Sequence, residues 1–279
     1  MITQVDLGST TLTTTKRLLQ AVKNLTFPEV NITALRRGSF PGQKVSFGKP
    51  AGYKFALEWA IVGDTFSDLA TQRETFLKLF GEIIKDGTKT LKINKSNSVN
   101  VQIDVMGVKV AGEVQAEDGN ASKLLIELTS EYPYLMSQTL QSFDVFIFNG
   151  GGMAIPMALP MNMSINGANE ATLSNAGNIE AYPVFTFYGP LNNPSIQNVT
   201  TGKQLSLNYN LTSADYIVVD VFNRTVNLYI SGAQNNGRRY ASGDFWTMQP
   251  GNNLIHLNTG TFNASGKCKV EWRDHYLGI

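Results

Sequence analysis

One stretch of this 279-residue chain carries a long helical stripe, and it constrains everything around it. From Thr65 to Lys85, apolar side chains at Phe66, Leu69, Phe76, Leu77, Phe80, Ile83 and Ile84 follow the i, i+3, i+7 spacing of a single buried face. Asp64 or Ser67 can cap its first turn, and Gly87 can end it, because glycine enters the left-handed region without strain. Burying such a stripe contributes roughly 1.5–3 kcal/mol per side chain before entropy, so the helix needs a sheet to lie on. Strand patterns flank it. Tyr53–Ile61 alternates, Leu91–Ile93 leads through a polar turn to Val99, Val101, Ile103 and Val105, and Val108–Val114 with Lys123–Thr129 completes an antiparallel meander around the turn Glu117–Asn120.

Charge then thins out. Residues 1–140 hold 16 of the 23 Lys and Arg and 14 of the 22 acidic residues, and the rest is rich in Asn, Gly and Thr. This shift places a boundary near residue 140, between an α+β domain (1–140) and a second domain (141–279) with no helical period. The second reads as short strands at Phe143–Phe148, Met161–Ile165, Val184–Phe187, Gln204–Tyr209, Tyr216–Phe222, Thr225–Ile230, Asn253–Leu257 and Lys267–Trp272. Asn149–Gly152, Asn166-Gly167, Asn236-Gly237 and Pro250-Gly251 punctuate them. The fold class is therefore mainly β: antiparallel sheets with one long helix, followed by a β-sandwich of jelly-roll type.

Little in the chain points to chemistry. A formal charge of +1 gives no field that would draw nucleic acid or anionic lipid. No run of about 20 apolar residues spans a bilayer, and the first residues show no basic segment followed by an apolar one, so neither membrane insertion nor a secretory signal is expected. Cys268 is the single cysteine and suits folding in a reducing cytoplasm; its alternating run, Lys267–Val270, points the thiol into a core. His256 and His275 lack metal-ligand spacing, and no cofactor is expected. Thr200–Lys203 resembles the end of a phosphate loop, but Gln197 stands where its first glycine belongs. Asp144, Asp215, Asp220, Asp244, Asp274, Glu170, Glu180 and Glu271 are the acids from which a glycosidase pair would be drawn. Trp246, Trp272 and Tyr240 are candidates for stacking on sugar, with core packing as their ordinary role.

Two groups of blocks carry a family resemblance. In the first half, Arg36-Arg-Gly38, Gly52–Glu58, Gly63 and Asp68 through Arg73 to Leu77 succeed one another. In the second come Tyr182-Pro183, Phe185–Pro190, Tyr216–Asp220, Arg224–Val226, Gly243–Trp246, Gln249–Ile255 and Val270–Tyr276. In this order the chain resembles the distal tail proteins of long-tailed bacteriophages. The resemblance implies a virion protein, not an enzyme, whose N-terminal domains build a hexameric ring and whose C-terminal domains are galectin-like sandwiches outside it. It also implies its partners: tail tube protein, tape-measure protein, the tail-tip hub protein and receptor-binding protein.

A ring needs edge strands and apolar patches that are satisfied only in the oligomer. The hairpin Asn94–Asn100, with Lys95 and Asn97, and the basic, glycine-rich loop Arg36–Lys49, with Arg36 and Arg37, are the candidates. Other readings are a carbohydrate-binding module for receptor recognition, with Trp246 in the site, a glycan-cleaving enzyme, or the hub of a contractile tail or tail-like bacteriocin.

Overall fold

The computed structural model describes residues 2–23, 30–36, 43–50, 52–96, 99–115, 120–147, 169–260 and 266–278. Their contacts divide into two compact units, Met1–Gln138 with Tyr276–Ile279, and Thr139–His275. The sequence reading carries the second unit to residue 279, whereas the last four residues return to the first. The reason is Tyr276, which packs against the first unit's core.

In chain order the elements of the first unit are β1 (Ile2–Leu7), β2 (Thr10–Thr11), β3 (Arg17–Lys23), β4 (Val30–Arg36), β5 (Gln43–Pro50), β6 (Lys54–Val62), α1 (Phe66–Asp86), β7 (Lys89–Lys95), β8 (Val101–Val105), β9 (Gly107–Gln115), β10 (Ala121–Thr129) and β11 (Leu135–Ser137). The second contains β12 (Gln141–Phe146), β13 (Glu170–Asn175), β14 (Val184–Tyr188), β15 (Leu191–Asn192), β16 (Ser195–Asn198), β17 (Lys203–Leu207), β18 (Asn210–Leu211), β19 (Tyr216–Asp220), β20 (Thr225–Ile230), β21 (Ala233–Asn236), β22 (Ala241–Gly243), β23 (Gly251–Asn258) and β24 (Lys267–Trp272). The last strand is β25 (His275–Tyr276).

The single meander expected in the first unit is instead two sheets. One has the order β2-β1-β7-β8-β11-β25 and the other β3-β6-β10-β9. The switch happens at one residue, Met106, whose N–H bonds to the Thr129 carbonyl at 2.8 Å. Gly107 follows it, and a Cβ there would sit 3.3 Å from that of Thr129, so the corner suits a residue without a side chain. The alternation in β6 and β8 turns Phe55, Leu57, Trp59 and Ile61, and Val101, Ile103 and Val105, into one shared core. Helix α1 adds Leu69, Phe76, Phe80 and Ile83, with the Phe76 ring 5.1 Å from both Trp59 and Phe80.

The helix differs from expectation at its start. Thr65 is the cap, its hydroxyl accepting from the Asp68 N–H at 3.2 Å, while Asp68 reaches back to accept from the Asp64 N–H at 2.9 Å. This reciprocal pair satisfies two donors at once, which neither Asp64 nor Ser67 as cap would do. Phe66, the first helical residue, lies 64% exposed and off the buried stripe. Gly87 ends the helix at φ +83°, as read from the sequence.

The second unit is a sandwich. A six-stranded sheet, β12-β24-β14-β19-β20-β21, and a five-stranded sheet, β13-β23-β16-β17-β22, turn their apolar faces into one core of Phe185, Phe187, Trp246, Ile255, Val270 and their neighbours. Asn253 braces the Pro250-Gly251 turn: its amide donates to the carbonyls of Gln249 and Gly251 and its oxygen accepts from the Gln249 N–H. Buried Asn198 donates to that same oxygen at 3.0 Å. The strand expected at Met161–Ile165 and the connector Asn149–Gly152 lie outside the described residues.

Candidate assembly surfaces

The residues with catalytic potential serve the fold. Trp246, the sugar-stacking candidate, is 1% exposed, its ring 4.6 Å from Phe185 and its Nε1 donating to the Ile196 carbonyl at 3.1 Å. An indole enclosed on both faces cannot stack on a glycan, so that assignment is corrected: the aromatic–polar pattern Gly243–Trp246 marks a core anchor. Trp272 is buried as well, and Tyr240 packs partly against the same core. Cys268 is fully buried, and burial pushes its thiol well above the ordinary range. Its flanking lysines turn away, Lys267 to Asp144 at 2.8 Å and Lys269 to Glu271 at 2.7 Å.

Several of the acids are likewise engaged. Asp215 accepts from the Thr212 hydroxyl and N–H and from the Ser231 N–H, and the Thr212 hydroxyl leads the contacts that hold its carboxyl below the usual range. Burial works against the Glu180 carboxylate, but donors from Thr247 at 2.7 Å and Gln249 at 2.6 Å bring its pKa down. Asp274 accepts from the Ala176 N–H. Buried His275 has Nδ1 3.0 Å from the Glu180 carbonyl, and burial lowers its pKa to about 4. Among the described residues no group of three His, Cys, Asp or Glu is placed to hold a metal, and no helix is long and apolar enough to cross a membrane.

Open strand edges and exposed apolar side chains lie elsewhere. In the first unit β9 is the edge of its sheet, paired to β10 on one side and to no strand on the other among the described residues. Lys109 through Glu113 are all exposed, as is Val114, and Val110 and Val114 are exposed by 45% and 68%. An accessible edge with two valines and few charges is a template for another strand. Beside it α1 contributes Phe66, Leu69, Ala70 and Arg73 to a groove of about 360 Å³ completed by Glu113 and Ser122. Arg73 grips Glu113 with two parallel bonds of 2.6 Å, fixing helix to strand; each partner stabilises the other's charged form. At the opposite edge stands β3, with Leu18 42% exposed.

Of the interface candidates from sequence, only Lys95 is described with its side chain. Lys95 ends β7 beside the β7–β8 hairpin, half-buried, and burial lowers its pKa; no carboxylate pairs with it among the described residues. Arg36 ends β4, whose partner β5 carries Lys44 and Lys49, so the expected loop is in fact a two-stranded hairpin. Its tip, including Arg37, lies outside the described residues, as do Asn97 and the Arg36 side chain.

In the second unit, sequence reading missed an aromatic row. At matched register on β12, β24, β14, β19 and β20 stand Phe146, Lys267, Tyr188, Tyr216 and Tyr229. The Lys267 ammonium lies 5.8 Å and 5.4 Å from the Phe146 and Tyr188 rings, and Tyr216 stacks on Tyr229 at 4.4 Å. Each aromatic sits at an outward phase of its strand, a signal visible only once the strands are aligned.

Residues 176–276 match the family model for the siphovirus-type tail component, C-terminal domain. The solved SPP1 Dit (gp 19.1) protein, described as a paradigm of the hub adsorption apparatus in phages infecting Gram-positive hosts, aligns with 98% of this chain and 98% of its own, at 11% identity and a TM-score of 0.64. Structures of the phage P2 baseplate in its activated conformation with Ca and with Sr cover 96% of this chain and 97% of theirs, at 12% identity and a TM-score of 0.46. No curated protein matches the sequence. The match to the family model lies in the second half of the chain, and the mainly β fold with one helix is the fold of the SPP1 Dit protein.

Proposed function

We propose that the protein is a distal tail protein, a structural baseplate hub at the tip of a phage tail rather than an enzyme, a reading supported by the match of residues 176–276 to the siphovirus-type tail component model. Six copies close into a ring through their N-terminal units, with the galectin-like C-terminal sandwiches outside. The ring joins the tail tube and tape-measure protein to the tip hub and receptor-binding proteins. It folds in the host cytoplasm and resides in the virion.

The observation that carries the ring is the pair of edges on one sheet, β9 at one end and β3 at the other, both open among the described residues. Two different edges on one sheet permit a head-to-tail contact, and head-to-tail contacts close into rings when the rotation between copies allows. Val110, Val114 and Phe66 on one side and Leu18 on the other supply apolar surface at the two edges. Native mass spectrometry of the full chain, alone and with tube protein, tests this: the expected species is near six chain masses. A strictly monomeric chain at every concentration, with tube protein present, overturns it.

A further inference from the structure

A second site lies on the sandwich, where β20 and β21 meet the 3-10 turn Arg238–Tyr240. Arg224, Thr225, Asn227, Gln234, Asn236 and Arg238 line a groove of about 510 Å³ there, a volume suited to a small-molecule ligand. Its charge is one-sided. The second half of the chain carries seven Lys and Arg against eight Asp and Glu, yet two of those arginines line this groove and no carboxylate does. Neither arginine has an ion pair among the described residues, while Lys267 and Lys269 do.

The groove is also held in shape. Arg238 rests on the Phe245 ring at 4.8 Å and donates through Nη1 to the Ala241 carbonyl at 3.2 Å, and its N–H bonds to the Asn236 side chain at 2.9 Å. That leaves other guanidinium donors unspent on a side chain already ordered. Arg224 sits opposite at φ +54°, on the turn that Asp220 fixes through bonds to the Asn223 N–H and side chain.

We propose that this groove binds an anionic sugar, with Arg224 and Arg238 taking its phosphate or carboxylate and the amides of Asn227, Gln234 and Asn236 its hydroxyls. Guanidinium forks match the paired oxygens of such anions. Each amide offers a donor beside an acceptor, the pattern that adjacent hydroxyls present. An apolar contact is at hand too: Tyr229 is paired in register with Gln234 and stacks on Tyr216 with rings 9° from parallel, so its second face turns toward β21. The site is not lined by Trp246 and does not depend on the ring reading; it gives this chain a contact with glycan of its own.

Titration of the full chain with glucose 1-phosphate, glucuronate, glucose and inorganic phosphate, followed by calorimetry, tests the assignment. Glucose 1-phosphate or glucuronate is expected to bind one per chain, roughly tenfold tighter than glucose or phosphate alone, and more weakly as salt rises. Whichever of the two anions binds more tightly identifies phosphate or carboxylate as the charged group. Arg224→Asn removes the guanidinium but tolerates the left-handed turn, and is expected to weaken binding about tenfold with the melting temperature unchanged. Arg238→Gln provides an independent variant. No binding by either anionic sugar overturns the proposal; so does inorganic phosphate binding as tightly as they do, or undiminished affinity in both variants.

Discussion

His275 links burial to stability at the scale of a single residue. It is 2% exposed, and burial takes its pKa from 6.5 to about 4. The unfolded chain therefore binds a proton below pH 6.5 that the folded chain refuses until about pH 4, so stability falls as pH drops through this window and levels off beneath it. A shift of this size corresponds to a loss on the order of 3 kcal/mol. Melting temperature followed from pH 7 to 4 should show the decline, and His275→Asn, which keeps a donor for the Glu180 carbonyl without a titrating ring, should flatten it. A variant as steep as the parent would assign the decline to other groups. The sequence placed His275 only as one of two isolated imidazoles. Its burial comes from Tyr182, whose ring lies 5.6 Å away and 93 positions earlier, a proximity that no local pattern encodes. Trp246 carries the same lesson: an aromatic beside Asp and Gly reads as a binding residue until Phe185 and the Ile196 carbonyl enclose it.

Elements were legible where their period was clean. The α1 stripe and the alternation of β6, β8, β10, β20 and β24 come from uninterrupted runs, and these elements stand within a residue or two of where the pattern puts them. Strands with broken or muted periods were not legible. Arg17–Lys23 carries a bulge between Leu19 and Ala21 that shifts the apolar phase, and Glu170–Asn175 turns only Ala171, Leu173 and Asn175 inward. β9 shows a third limit, since its alternation predicts a strand but not that the strand is an edge. Val114→Glu tests what that edge does. The carboxylate would stand opposite Lys123 in register, so folding stability should change by less than about 0.5 kcal/mol. A charge on an open edge discourages strand addition, so the oligomer should shift toward the monomer in analytical ultracentrifugation. An intact oligomer of unchanged concentration dependence would move the interface away from β9.

At the scale of the whole molecule, the chain leaves the first unit at residue 138 and returns to it with Tyr276. Such a return cannot be read from Tyr276–Ile279, because four residues hold too little pattern to mark a strand. Its consequence lies within the first unit's own core. Tyr276 packs against that core, where burial pushes the Tyr53 phenol up to about 12. β25 also borders β11 at the end of the sheet. Ending the chain after His275 therefore strips a packed ring and a strand neighbour from one unit while leaving the bridge between Ile179 and His275 in the other. The expected loss is about 2 kcal/mol, which corresponds to roughly thirtyfold faster amide exchange in β7, β8 and β11. Exchange in β19 and β20 serves as the internal reference and should hold its rate. Unchanged protection in β8 and β11 would remove the tail from the first unit's core. Faster exchange in every strand would instead mean that the two units unfold as one.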